Sequence, residues 1–198
     1  NHEGGEVVAL KTLRAEEKDW TKDIYMSHFL EASAMAEMVA SQFILEIYGF
    51  CGTSGLFEYT SGIDMRRNIE GGHHRHGKES QTGKHPVVRP EETLRHATEV
   101  ALAVSDSNLF MQQADGTYRA TLLNTDLKPQ QFILHNGVYR LGDFNLACPL
   151  LLNTTSGKTC YAYDTAGYRG KHGSSFHAPE EYIADAGVTE KADVYVLG

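Results

Sequence analysis

Apolar residues recur along this chain with two periods. Val7, Val8, Ala9 and Leu10 make a short apolar run closed by Lys11, which reads as a strand. Across residues 20–40, Ile24, Met35, Met38 and Val39 fall at near-helical spacing, with Phe29 and Leu30 between them. That spacing predicts a helix, and Glu31 shares a face with Met35 and Met38. Residues 44–50 and 55–59 read as short strands. Residues 91–111 predict a long helix with Leu94, Ala97, Ala101, Leu102, Val104 and Leu109 as its apolar positions. Asp115-Gly116-Thr117 is a turn, and residues 121–123 form a short apolar strand. Two apolar runs, 132–134 and 138–141, flank His135-Asn136-Gly137, and the Asn-Gly pair predicts a hairpin. Residues 68–90 are rich in Gly, His, Lys, Arg and Ser. They cannot bury a core and read as a mobile loop.

Bulk properties narrow the class. The 198 residues suffice for one sizeable domain, and 41% hydrophobic with 22% charged residues fits a soluble globular protein. A formal charge of −8 argues against a nucleic-acid surface. No apolar run is long enough for a membrane span, and no basic-then-apolar leader opens the chain. Cys51, Cys148 and Cys160 lack metal-ligand spacing, and this odd, sparse set fits a reducing, intracellular (cytoplasmic) compartment. His73-His74-Arg75-His76 reads as a solvated loop, because adjacent residues rarely present three nitrogens tetrahedrally.

The candidate chemistry lies between residues 124 and 145. Asn124-Thr125-Asp126-Leu127-Lys128-Pro129-Gln130-Gln131 is followed, seventeen residues after Asp126, by Asp143-Phe144-Asn145. The predicted hairpin puts Asp126 and Asp143 at its two outer ends, so they converge. Two such carboxylates suit phosphoryl transfer: one orients an acceptor hydroxyl and the other holds a metal on the nucleotide phosphates. Lys128 can offset the charge of the migrating group. With Val8-Ala9-Leu10-Lys11 upstream and Ala178-Pro179-Glu180 downstream, the order of motifs resembles the catalytic half of a eukaryotic Ser/Thr-type protein kinase.

That resemblance implies an α+β, two-lobed protein-kinase-like fold. Residues 1–59 would form a small strand-rich N-lobe, and residues 60–198 an incomplete helical C-lobe carrying the 68–90 insert. It implies ATP and Mg²⁺ as cofactors and a protein substrate. Lys11, paired with Glu31 (Glu37 being the fallback), would contact the nucleotide phosphates. Residues 56–62 resemble the hinge between lobes, with Phe57 as gatekeeper and Glu58 and Thr60 contacting the nucleotide. Asp126 and Lys128 would be catalytic, and Asp143 and Gln131 would hold the metal. Residues 193–198 resemble the start of the central helix of the C-lobe. The resemblance further implies Gly-rich strands before Asn1 and helices after Gly198, with an arginine there for Glu180.

Four positions depart from the family pattern. Gln131 stands for the metal-binding Asn, Asn124-Thr125 for His-Arg, and Asn145 for the Gly after Asp-Phe. Asn tolerates left-handed backbone angles, so Asn145 is expected to preserve the turn. Loss of the arginine removes a partner for a phosphorylated loop. These departures motivate a second reading, a pseudokinase scaffold that binds nucleotide or a partner without efficient catalysis.

Overall fold

The computed structural model describes residues 7–13, 21–69, 89–156, 159–161, 176–183 and 187–198, with the backbone alone at 23 and 159–161. Three antiparallel strands come first in space: β1 (Val8–Thr12), β2 (Ile47–Cys51) and β3 (Ser54–Glu58), in the order β1-β3-β2. Alternation along β1 leaves Val8 and Leu10 exposed and turns Ala9 and Lys11 inward. Lys11 thus points to the same side as the core, opposite Gly55 of β3.

The helix α1 (Lys22–Glu37) packs beside this sheet. Thr21 caps it by accepting from the Ile24 amide at 3.3 Å. The predicted face is the buried one: Glu31, Ala32, Met35 and Met38 are each 3% exposed or less, and Glu37 is exposed. Trp20 lies outside the described residues. A short helix, α2 (Met65–Ile69), follows β3, and Asp64 accepts from the Arg67 amide at its start. Asn68 and Ile69 therefore belong to a helix rather than to the expected loop. Asn68 also donates to the Tyr139 hydroxyl at 2.6 Å. The loop's other end, Pro90, is the first residue of α3, where its missing N–H costs nothing. The remainder of that loop, with the histidine run, lies outside the described residues.

Helix α3 (Pro90–Ser107) stops four residues earlier than its periodicity predicts, because Leu109 takes φ +46° and Met111 pairs in a strand instead. Its buried face is also rotated from the expected one. Glu99, Ala103, Val104 and Ser107 are buried, whereas Leu94 is 70% exposed. A carboxylate anchors that face: Glu99 accepts from the Tyr139 amide at 3.1 Å, satisfying a backbone donor that an apolar residue could not.

The rest is short antiparallel pairing: β4 (Met111–Gln112) with β5 (Tyr118–Arg119), and β6 (Leu122–Leu123) with β9 (Cys148–Leu152) and β10 (Thr159–Tyr161). The hairpin β7 (Phe132–His135) and β8 (Val138–Leu141) forms as predicted. Asn136 and Gly137 take φ +49° and +82°, the left-handed pair that a two-residue turn requires. Helix α4 (Lys191–Tyr195) closes the described chain, starting two residues before Asp193. Among the described residues no helix is long and apolar enough to cross a membrane.

One core joins α1, α3 and the hairpin, and a second cluster of Leu123, Cys148, Leu150, Val188 and Ala192 packs β6 and β9 against the start of α4. Met35 and Met38 of α1, Val104 of α3, Phe132 and Leu141 of the hairpin and Phe144 beyond it pack together. Each such side chain contributes roughly 1.5–3 kcal/mol by burial. Two backbone bonds lock residues 43–45 to the hairpin's outer edge: the Leu45 amide donates to the Leu141 carbonyl at 2.9 Å, and the Leu141 amide to the Phe43 carbonyl at 2.8 Å. The sheet carrying Lys11 is therefore fixed to the hairpin that precedes Asp143.

Candidate functional site

Three elements bring Lys11, Glu31 and Asp143 together. The Lys11 ammonium donates to Glu31 at 2.7 Å and to Asp143 at 2.5 Å, across separations of 20 and 132 residues. Burial opposes the lysine's charge, but the two carboxylates outweigh it and raise its pKa. Burial raises the Glu31 pKa, and Lys11 partly offsets this. Glu31, rather than Glu37, thus holds the lysine. Asp143 has φ +63°, a left-handed turn that directs its carboxylate toward Lys11. That strained angle was expected at Asn145 and sits two residues earlier, so the turn does not depend on a glycine at 145. Ser27 of α1 donates its hydroxyl to the Asn145 carbonyl.

A second cluster forms on Asp126. Its Oδ2 accepts from Lys128 at 2.7 Å and from the Gln131 amide at 2.9 Å. Gln131 sits on a 3₁₀ turn, Pro129–Gln131, and its backbone carbonyl accepts from the Gly142 amide at 3.0 Å. This bond extends the β7–β8 ladder by one rung, so the segments bearing Asp126 and Asp143 leave the hairpin side by side. With its amide nitrogen on Asp126, Gln131 reaches a cation only through its carbonyl oxygen.

The loop before Asp126 is held by Asp193, whose role the sequence did not disclose. This buried carboxylate accepts from the Asn124 amide at 2.8 Å, the Thr125 amide at 3.2 Å and the Asn108 side chain at 2.9 Å. Burial raises its pKa to about 6, against the pull of those donors. The resemblance placed Asp193 only at the start of a helix, and its partners 68 to 85 residues away are visible only in the fold. Asn124 accepts from the Asp126 amide at 3.1 Å through its side-chain oxygen. Thr125 donates its hydroxyl to the Leu146 carbonyl.

The expected hinge residues behave differently. The Glu58 carboxylate is committed to Arg140 at 2.6 Å and to His135 at 3.1 Å, which ties the end of β3 to the hairpin. Any contact of that side chain with a cofactor must compete with these pairs. Thr60 lies two residues past β3, half-buried, and Phe57 packs against the core. Of the Ala178-Pro179-Glu180 motif, Ala178 is buried. The neighbouring Glu181, not Glu180, is the buried carboxylate and accepts from the Ala178 amide at 2.7 Å.

A cavity of about 790 Å³ opens between α2, α3 and the end of α4, with Lys128 and Pro129 on its wall. Its lining is mainly apolar, with Val100, Leu127, Phe132 and Val196, and carries Asn68, His96 and Lys128 among its polar residues. Among the described residues no group of three or more His, Cys, Asp or Glu is arranged to hold a metal by itself. One carboxylate and an amide oxygen instead suit Mg²⁺, which takes few protein ligands and completes its shell with water and substrate phosphates.

No protein-family model matches the chain. A stretch of 112 residues is 34% identical to the G-type lectin S-receptor-like serine/threonine-protein kinase LECRK4 of Oryza sativa, in both the indica and japonica subspecies. The same length and identity relate it to LECRK2 of subspecies indica. The match covers 56% of this chain and 12% of each relative, so the chain spans a small part of the relatives' length. A region of this chain is thus distantly related to serine/threonine receptor kinases.

Proposed function

We propose that this chain is part of a two-lobed protein kinase that transfers the γ-phosphoryl of ATP to a Ser or Thr hydroxyl of a protein. The single observation that carries the reading is Lys11 bridging Glu31 and Asp143, three residues far apart in sequence. A cation between two carboxylates at a strand end is poised to exchange one of them for a phosphate. Mg²⁺, when bound, screens the phosphate charge and aligns the terminal phosphoryl group. Asp143 and the Gln131 carbonyl are the residues that would hold it. Asp126 orients the acceptor hydroxyl, and Lys128 stands beside it to balance charge that develops on the transferred group.

Gln131, Thr125 and Asn145 motivate the second reading, a scaffold that binds nucleotide or a partner without efficient catalysis. Against it, Lys11, Asp126 and Asp143 are all present, Lys11 paired with Asp143 and Asp126 held by Lys128 and Gln131. Thermal melting of the intact protein tests the binding half of the proposal. Millimolar Mg·ATP is expected to raise the melting temperature of the wild type and of Asp126→Asn, but not of Lys11→Met or Asp143→Asn. No shift in the folded wild type would overturn it.

A further inference from the structure

We infer that Thr125 and Ser27 are positioning residues that hold Asp143 in its metal-ligating orientation, gripping the chain just beyond it from two sides. This inference rests on the phosphoryl-transfer reading above. Consecutive carbonyls are involved: Ser27 on α1 donates to that of Asn145, and Thr125 donates to that of Leu146. Both hydroxyls are partly buried, where a hydrogen bond is less diluted by water. The carbonyls belong to the turn that follows the left-handed Asp143, and Phe144 between them is fully buried. The turn is therefore fixed by its side chain in the core and by two hydroxyls on its backbone.

Thr125 itself sits at φ +65°, an uncommon angle for a β-branched residue. Such an angle persists only where the surroundings impose it. Here the Thr125 amide is fixed by Asp193 and the hydroxyl by Leu146. Two of the four described non-glycine residues with left-handed angles, Thr125 and Asp143, adjoin or carry a candidate functional carboxylate, and the Thr125 hydroxyl is a direct tie between their segments. Where the family pattern has an arginine that pairs with a phosphorylated loop, this chain has a neutral hydroxyl that reaches the turn itself. The orientation of Asp143 then needs no added phosphate.

Binding of Mg·ATP to the intact protein, measured by calorimetry with and without Mg²⁺, tests this. Thr125→Val keeps the branched shape and removes the hydroxyl. It is expected to weaken Mg·ATP binding roughly three- to tenfold, the worth of one partly buried hydrogen bond, and to raise the Mg²⁺ concentration needed for half-saturation. Mg²⁺-free ATP binding should be unchanged, which a general loss of structure would not leave intact. Thr125→Ser should restore wild-type behaviour, and Ser27→Ala should mimic Thr125→Val. Amide exchange over residues 143–147, read without nucleotide, separates this inference from the functional reading. Faster exchange in Thr125→Val but not in Thr125→Ser supports the tie even if the wild type binds no nucleotide, in which case the functional reading fails alone. Unchanged exchange, or Mg·ATP binding in Thr125→Val equal to that of a wild type that does bind, overturns the inference.

Discussion

Around Lys11, one ammonium balances two carboxylates, one of them on the fully buried Glu31. In Lys11→Met, Glu31 loses that cation, and burial then favours its protonated form with much less opposition. A folded-state pKa raised above the unfolded one adds stability at low pH that is lost as pH rises through the folded value. The variant is therefore expected to melt well below the wild type at neutral pH and to close much of that gap as the solution is acidified. Melting temperatures across the pH series check this, and a constant gap would disprove it. Both Lys11 and Asp143 were legible because the residue types and their order carry chemistry. Asp193 and Glu99 were not, since each accepts from backbone amides distant in sequence that no local pattern announces.

The elements repeat that division. The hairpin was readable to within a residue, because its turn chemistry is local and Asn136-Gly137 supplies both left-handed angles. The end of α3 was not, because its apolar positions continue past Ser107 while pairing with β5 draws Met111 into a strand. The burial of Glu99 also turned the helix away from the face its leucines predicted. Close approach of two elements explains Gly62. The segment after β3 crosses β7 there, the Leu134 amide donates to the Ile63 carbonyl at 3.1 Å, and a Cβ on Gly62 would lie 1.5 Å from the Leu134 carbonyl oxygen. Backbone must move to admit it. Gly62→Ala is expected to cost about 1–3 kcal/mol or more in chemical denaturation. A loss within experimental error would show that the two segments are not so closely apposed.

For the molecule as a whole, the buried charge of Asp193 couples folding to pH. Its folded pKa of about 6 lies above the ordinary value of 3.8. Its stabilising contribution is therefore complete below pH 3.8 and lost as pH rises through about 6, a difference on the order of 3 kcal/mol. Stability of the wild type relative to Asp193→Asn should accordingly increase as pH is lowered from 7 to 5. Paired denaturation curves check the sign, and a wild type that weakens against the variant over that range would contradict it. The same charge at neutral pH fixes the Asn124 and Thr125 amides beside Asp126, so stability is given up where order in the site is needed. Whether that order serves phosphoryl transfer is decided by incubating the intact protein with γ-labelled ATP, Mg²⁺ and a generic basic protein. Label should appear on Ser or Thr of the acceptor with the wild type and fall by about a hundredfold or more with Asp126→Asn. Equal labelling by the two, or none by a folded wild type, would contradict the assignment.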